Sequence, residues 1–289
     1  MKMQKSLLIV GCGYLGMRVL KMASQSGWNV YGTSRKIEKK SEIESSGARF
    51  IHFDITRPET IANLPPASHW LWSPAFDRSQ GLSVHEVVAG GLMQSLNLAE
   101  HQPSHLVFIS TTGVFHQLDG ESVDELSPTH PQTDSGRAHL EAEHRLAAWS
   151  NQMRANVTTL RLSGLYGPGR WIRRKSIENG EPIACNPESW LNLLHIDDAA
   201  SACMAVHNCE LPRDESRYSL FCVTDDQPIT RGEFYQTSAR LLKAPEPRFE
   251  TPTSADFSGN KKVINLRFKT QLNWQPFYPN IESGLMACI

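Results

Sequence analysis

A glycine-rich stretch near the start of the sequence has the residue types and spacing to hold a phosphate. An apolar run, Leu7–Val10, leads directly into a G-x-G-x-x-G pattern, the order typical of a strand, a tight turn and a helix that bind a dinucleotide. The first glycine would permit the turn, the second close approach to a pyrophosphate, and the third close helix packing, while the helix N-terminus would attract the anion. The alternative is a plain glycine-rich turn. The predicted contacts are Gly11, Gly13, Tyr14, Leu15 and Gly16.

The end of the second apolar run indicates which dinucleotide would bind. A site for NAD usually has a carboxylate about 20 residues beyond the glycines, where it binds the ribose 2′-hydroxyl. Here Ser34, Arg35 and Lys36 occupy that place, and guanidinium and hydroxyl groups suit a 2′-phosphate. We therefore predict NADP, with NAD as the alternative, and Ser34 and Arg35 as contacts. Arg35 and Lys36 could instead begin a solvated helix, with Glu38 reaching back to the ribose.

Two further places are predicted to contact the cofactor. Asp54 follows the third apolar run and could meet the adenine, although a turn carboxylate is an equal alternative. Ser73 and Pro74 close the fourth run, and ligands of parallel sheets bind at the carboxyl ends of the strands.

The elements that would carry these residues alternate between strand and helix. The predicted strands are Leu7–Val10, Trp28–Thr33, Ala48–Phe53, His69–Trp72, His105–Ser110 and Val157–Leu162. The predicted helices between them are Met17–Ser26, Val84–His101 and residues 135–149. Such alternation predicts an α/β fold with a doubly wound Rossmann parallel sheet.

The pattern loosens after residue 165, where we expect a smaller C-terminal substrate domain. Ile196–Asn208 fits a helix, and Thr230 with Glu233 forms a capping box before another. The predicted Rossmann domain is therefore 1–165, with about 190–225 returning to it. The predicted substrate-binding region is 166–189 and 226–289.

Bulk composition limits the class of protein and its partners. The chain has 289 residues and a net charge of −1, which provides no global field for nucleic acid or an anionic membrane. No apolar run approaches the roughly 20 residues that span a bilayer. The six cysteines form no C-x-x-C pair, which argues against a zinc ribbon or disulfide scaffold and favours a reducing compartment. We expect a cytoplasmic protein with a small-molecule substrate.

Five motifs in order give the chain a family resemblance. They are Ser110–Phe115, the acidic loop Val123–Pro131, the Arg-to-YGPG segment Leu160–Arg170, the LHIDDA segment Leu194–Ala199 and the LNWQP segment Leu272–Pro276. Together they resemble the NAD-dependent epimerase/dehydratase family of extended short-chain dehydrogenases/reductases, in which nucleoside-diphosphate-sugar epimerases occur. The family's first turn is usually G-x-x-G-x-x-G, and this one is a residue shorter.

The catalytic helix departs from the family pattern. Where the family has Tyr-x-x-x-Lys, this chain has Ser135 and His139. The resemblance implies that Thr111 polarises the substrate oxygen. A serine hydroxyl has too high a pKa to replace the phenol, whereas His139 could take the proton role with Ser135 as relay. His139 could equally be a partly exposed helix residue or a ribose contact, and Tyr166 is another candidate phenol.

The resemblance also implies a substrate site and an oligomer. Arg170, Arg173 and Arg174 fall where such enzymes meet a nucleotide-sugar diphosphate. Trp171 and Trp190 could stack on a base or sugar, although a solvated loop explains the same residues equally well. A homodimer is implied through two helices of the first domain. No metal site is predicted, because His139 and His144 are five residues apart and do not share a helix face. The competing hypothesis to an enzyme is a non-catalytic NADP-binding sensor or regulatory protein.

Overall fold

The computed structural model describes residues 5–74, 82–209, 217–252 and 259–289. Within them, the strands are β1 (Ser6–Val10), β2 (Asn29–Ser34), β3 (Arg49–His52), β4 (His69–Trp72), β5 (His105–Thr111), β6 (Glu121–Val123), β7 (Asn156–Leu162), β8 (Gly164–Tyr166), β9 (Ile183–Ala184), β10 (Trp190–Leu191), β11 (Leu193–His195), β12 (Tyr218–Val223), β13 (Ile229–Thr230), β14 (Phe249–Glu250) and β15 (Lys261–Val263). The α-helices are α1 (Gly16–Gln25), α2 (Lys40–Ser45), α3 (Gly91–Leu98), α4 (Asp134–Met153), α5 (Arg174–Glu178), α6 (Ile196–Asn208), α7 (Arg231–Leu242), α8 (Leu266–Leu272) and α9 (Ile281–Met286). None of these helices is both long and apolar enough to cross a membrane.

A seven-stranded parallel sheet is the centre of the fold. Its order is β12-β7-β5-β4-β1-β2-β3, so the chain winds outward from β1 in both directions. The first strand pairs Leu7 with Val30 on one side and with His69 on the other. The predicted α/β class and doubly wound parallel sheet are confirmed. Since the direction of winding reverses beside β1, the carboxyl end of that strand is the expected ligand position.

The described residues divide into two compact units. The first comprises Met1–Thr111, Asp134–Arg161 and Ala200–Phe221, and the second Thr112–Thr133, Leu162–Ala199 and Cys222–Ile289. The first unit buries an apolar core between sheet and helices that includes Leu8, Trp70, Leu92, Phe108 and Leu146. The second unit has its own core, which includes Tyr166, Ile177, Leu193, Phe234 and Leu285.

Several elements follow the sequence prediction closely, and others differ from it. Thr230 caps α7 through a capping box with Glu233, as predicted. The long helix predicted over Val84–His101 is helical from Val84 to Leu98, with a π-helical turn, Glu86–Gly90, before α3. A Cβ on Gly91 would lie 2.4 Å from Ile55, so this region packs closely at a glycine that weakens regular helix. The strand β12 was not predicted.

Candidate functional site

The glycine turn lies between β1 and α1, and two of its glycines are required by the protein's own packing. Gly11 has a φ of +98°, a conformation that side chains disfavour. A Cβ on Gly11 would lie 2.7 Å from the backbone of Pro74, and a Cβ on Gly16 would overlap the Gly11 carbonyl oxygen. The turn is further held by the Gly11 N–H, which donates to the Thr33 hydroxyl at 3.1 Å.

The glycine at position 13, unlike Gly11 and Gly16, is not required by packing within the protein. A Cβ at Gly13 would meet no atom of the described residues within 4 Å, so internal packing does not require a glycine there. The space above Gly13 opens at the start of α1, where helix N–H groups and the helix dipole favour an anion. This open position is compatible with the predicted phosphate, which a methyl group there would obstruct.

A cavity of about 360 Å³ extends from the glycine turn to the carboxyl ends of β2 and β3. Its lining includes Gly11, Gly13, Ser34, Arg35, Asp54 and Pro74, which brings six of the predicted cofactor residues together. Lys36 and Lys39 also line it. Three cationic residues therefore follow β2, and the ammonium of one of them, Lys39, also pairs with Glu42 at 2.5 Å. Glu38 is not among the described residues that line the cavity.

The remaining predicted cofactor residues support the turn. Ser73 donates from its backbone N–H to the Val10 carbonyl at 2.9 Å, and its hydroxyl donates to the Gly11 carbonyl at 3.3 Å. Leu15 is the residue before α1. The Tyr14 carbonyl accepts a hydrogen bond from Arg18, whose guanidinium lies 4.4 Å from the Tyr14 ring centroid.

Asp54 is a turn carboxylate that also lines the cavity, and its contact with adenine stays a prediction. Its Oδ1 accepts hydrogen bonds from the Thr56 backbone N–H at 3.0 Å and the Thr56 hydroxyl at 2.8 Å. Asp54 is therefore a turn carboxylate in the sense expected for such residues. Because it also lines the cavity, the turn fixes a carboxylate at the cavity wall.

Thr111, Ser135 and His139 belong to the two elements predicted to carry catalysis. Thr111 ends β5, and Ser135 is exposed in the first turn of α4. The ring of His139 lies 6.1 Å from that of Phe108 on β5. Its Nδ1 lies 2.7 Å from the Ser135 carbonyl oxygen, so that nitrogen carries the proton. Burial lowers the pKa of His139, which favours the neutral ring with Nε2 as an acceptor.

A buried ionic network lies one turn further along α4, and the sequence analysis assigned it no role. Glu143 accepts hydrogen bonds from the Ser110 hydroxyl at 2.5 Å and from Arg161 Nη2 at 2.6 Å. All three side chains are buried. The network joins α4 to β5 and β7 and so places the helix that carries His139 against the sheet.

The second unit contains a separate basic cavity. It has a volume of about 440 Å³, and Arg170, Trp171, Arg173 and Arg174 are among its lining residues. The Trp171 indole N–H donates to the Ser238 hydroxyl at 3.2 Å, which fixes the ring. Trp190 is not among the described residues of this lining; instead Lys262 lies 5.1 Å from its ring centroid.

Two other polar residues of the second unit have structural explanations. Tyr166, the alternative phenol, is fully buried against Gly284, where any Cβ would overlap its hydroxyl. Burial raises the pKa of Tyr166 far above its usual value, which does not suit proton transfer near neutrality. Asp198 accepts the backbone N–H groups of Phe277 at 2.6 Å and Tyr278 at 3.1 Å, and so ties α6 to the C-terminal segment.

The ionic network and Lys39 are the residues that sequence reasoning missed. Glu143 is four residues after His139 and eight after Ser135, so all three positions fall on one face of a helix. A charged residue on the face that meets the sheet is a signal that could have predicted a buried partner.

Comparison with known proteins adds to this geometry. The sequence model of the family described as "NAD dependent epimerase/dehydratase family" matches residues 7–216. Protein YeeZ of Escherichia coli strain K12 is 27% identical over 288 residues, which is 96% of this chain and 97% of that protein.

Two solved structures are similar over nearly the whole chain. A functionally unknown conserved protein from Silicibacter pomeroyi has a TM-score of 0.75 at 27% identity, covering 99% of this chain and 98% of that one. UDP-glucose-4-epimerase from Stenotrophomonas maltophila, with bound NAD and formylated UDP-arabinopyranose, has a TM-score of 0.81 at 18% identity, covering 99% and 96%. The second similarity supports the fold alone.

Proposed function

The chain belongs to the NAD dependent epimerase/dehydratase family, and from that premise we propose that it binds NADP at the glycine turn. The proposed reaction is an oxidoreductase, epimerase or dehydratase step on a nucleotide sugar or a similar polar small molecule. The cofactor proposal rests on one observation. A single cavity is lined by the open Gly13 position and by the cations that follow β2.

The preference for NADP rests on charge at the end of β2. Arg35, Lys36 and Lys39 line the cavity, and a 2′-phosphate would gain charge-assisted hydrogen bonds there. The Ser34 hydroxyl accepts the Lys36 backbone N–H at 3.0 Å and can still donate to a phosphate oxygen. NAD remains the alternative, with Asp54 as the carboxylate of the same cavity.

The catalytic residues would work around the nicotinamide, which supplies or accepts a hydride when the cofactor is bound. Thr111 would donate its hydroxyl proton in a hydrogen bond to the substrate oxygen. His139 keeps its proton on Nδ1, bound to the Ser135 carbonyl, so Nε2 would accept a proton or a hydrogen bond from a substrate or ribose hydroxyl. Ser135 would act as a relay or as a hydrogen-bonding group only.

The proposed substrate class rests on the second unit and on the family. Three arginines and Trp171 line its basic cavity, and guanidinium groups bind diphosphates well. The structurally similar UDP-glucose-4-epimerase from Stenotrophomonas maltophila has formylated UDP-arabinopyranose bound. We extend this to a polar, anionic substrate here, with 166–189 and 226–289 as the substrate region and Trp190 as a further candidate contact. A cytoplasmic homodimer is part of the same proposal.

A non-catalytic NADP-binding sensor is the second candidate function. It is favoured by the exposed Ser135, which lies where the family has its catalytic phenol and cannot hold a proton charge near neutrality. In this alternative, the cofactor cavity is retained and the hydride is never transferred.

Calorimetric titration with NADP⁺ and NAD⁺ tests the cofactor proposal, and we expect tighter binding of NADP⁺. Absorbance assays of NADPH formation or consumption with a panel of nucleotide sugars test the enzyme proposal, alongside product analysis for epimerisation and dehydration. Binding without turnover would favour the sensor. Loss of turnover in both His139→Ala and Thr111→Val, with NADP⁺ binding retained, would support the assigned roles.

A further inference from the structure

Three histidines that are distant in sequence meet at the amino end of the central sheet. His69 begins β4 and His105 begins β5, and the two are direct partners in the sheet register. His207 lies in the last turn of α6. One ligand nitrogen from each ring lies within 4.8 Å of the others. This cluster is at the opposite ends of the strands from the glycine turn, so it is separate from the cofactor cavity.

The buried position of His207 is costly without a ligand. His207 is 1% exposed, and neither ring nitrogen has a hydrogen-bond partner among the described residues. A buried polar group without a partner costs about 1–3 kcal/mol. The ring centroid of His207 lies 5.6 Å from that of His69 and 5.8 Å from that of His105.

The other two histidines each have a hydroxyl group beside one ring nitrogen. His69 Nδ1 contacts the Ser68 hydroxyl at 3.0 Å, and His105 Nε2 contacts the Thr158 hydroxyl at 3.1 Å. Each contact occupies one ring nitrogen and leaves the other to act as a ligand. Outer hydroxyl or carbonyl partners of this kind set the tautomer and the ring orientation of metal-binding histidines.

Burial keeps the rings of the cluster uncharged, whereas a nearby ammonium opposes positive charge there. Burial lowers the pKa values of His69 and His105 to about 4, so their rings are neutral and keep a lone pair for coordination. Burial also lowers the pKa of His207 well below its usual value. The Lys5 ammonium adds repulsion at all three rings, and it lies 5.2 Å from the Trp28 ring centroid.

We propose that His69, His105 and His207 bind a divalent first-row transition-metal ion, with Zn²⁺ as the reference ion. Zinc–imidazole bonds of about 2.0–2.1 Å at tetrahedral angles place ligand nitrogens about 3.4 Å apart. In the structure, the three ligand atoms lie within 4.8 Å of one another. Small side-chain adjustments would bring them to the separation that zinc requires. Water would occupy the fourth position. The ion would join the starts of β4 and β5 to the end of α6.

Titration of the metal-free, tag-free full-length protein with Co²⁺ and then Zn²⁺ tests the site. We expect one equivalent of Co²⁺ to produce the visible absorption of a four-coordinate ion, and one equivalent of Zn²⁺ to displace it. We also expect Zn²⁺ to raise the thermal unfolding temperature, since a ligand that binds only the folded state stabilises it. Wild-type protein that takes up no stoichiometric metal would overturn the proposal, and a buried water molecule would then account for His207.

Variants separate this site from the other histidines and cysteines. His69→Gln is the mildest change, because His69 is only partly buried, and we expect it to weaken Zn²⁺ binding by at least about ten-fold. His105→Gln provides a second ligand deletion if the first variant folds poorly by circular dichroism. His130→Gln is the matched control, since His130 and His116 form another close ring pair, 4.9 Å apart. If His130→Gln abolished binding and His69→Gln did not, the assignment would be wrong.

Removal of the nearby ammonium provides an independent test. Because the Lys5 charge opposes a cation at all three rings, Lys5→Gln should tighten Zn²⁺ binding. A metal bound elsewhere would not respond to this change. Weaker binding in Lys5→Gln would contradict the proposed location.

Discussion

Arg161 and Glu143 form a buried ion pair, with Arg161 Nη2 2.6 Å from Glu143 Oε2 and both side chains at most 4% exposed. Arg161 Nε also donates to Oε1 of the same carboxylate at 3.1 Å, and the Ser110 hydroxyl donates to that oxygen as well. The carboxylate therefore joins α4 to two neighbouring strands. His139 lies one helical turn before Glu143, so the pair sets the position of the helix face that would meet the nicotinamide.

Glu143→Gln should strongly destabilise the protein. The substitution keeps the size of the side chain and leaves the Arg161 guanidinium buried without its counter-charge. Breaking a buried pair in this way typically costs about 3–5 kcal/mol. Urea denaturation followed by circular dichroism measures the loss in free energy of unfolding.

Glu141→Gln is the matched control on the same helix. Glu141 is 33% exposed and pairs with Arg145 and His85 at the surface, where such pairs contribute at most about 1 kcal/mol. Equal losses for Glu141→Gln and Glu143→Gln would mean that the buried pair does not hold α4 in place.

Gly13→Ala and Gly11→Ala should separate binding from folding. A Cβ at Gly13 meets none of the described atoms, so Gly13→Ala should keep the wild-type unfolding temperature. Its methyl group would occupy the proposed phosphate position and weaken dinucleotide binding by at least about ten-fold, or 1.4 kcal/mol. Gly11→Ala combines a positive φ with backbone overlap at 2.7 Å and should cost at least about 2 kcal/mol of stability.

Differential scanning fluorimetry and calorimetry measure the two effects. Unchanged NADP⁺ affinity in folded Gly13→Ala would show that the phosphate does not bind at this turn.

Arg35→Ser should abolish the preference for NADP⁺ over NAD⁺. A charge-assisted hydrogen bond contributes about 1.5–3 kcal/mol, so NADP⁺ affinity should fall by about ten- to a hundred-fold. NAD⁺ has no 2′-phosphate, and its affinity should stay within about two-fold. Arg49→Ser is the control, because Arg49 lies at the amino end of β3, away from the carboxyl end of β2, and contacts the Tyr31 ring. Equal losses for both dinucleotides would argue against a 2′-phosphate at Arg35.

The sequence was sufficient for the features that depend on local pattern. The bounds predicted for β4 and α6 match the structure, as does the capping box of Thr230 and Glu233. Apolar periodicity and capping chemistry act over a few residues, so a single sequence can reveal them. The family resemblance is confirmed by the matching family model.

Features that depend on contacts between distant residues could not be predicted from local sequence pattern. Glu143 and Arg161 are 18 residues apart, and His69 and His207 are 138 apart. Such groups meet only because of the order of strands in the sheet. The π-helical turn at Glu86–Gly90 escaped prediction for a related reason, since an apolar run does not reveal close packing against Ile55. The roles of Ser135 and His139 stay predictions.

Asp198→Asn should change how stability depends on pH. Burial raises the pKa of Asp198 from 3.8 to about 6, so between these values the folded protein binds a proton more readily than the unfolded chain. Stability from this group is therefore complete below about pH 4 and is lost as pH rises through 6. The free energy of unfolding of wild type minus that of Asp198→Asn should fall across this window by up to about 3 kcal/mol, and then level off.

Urea denaturation at a series of pH values measures the difference. Asp197→Asn, whose side chain is 46% exposed, controls for the loss of a negative charge at the start of α6. A difference that grows with pH would mean that the hydrogen bonds from Phe277 and Tyr278 outweigh burial and hold Asp198 ionised.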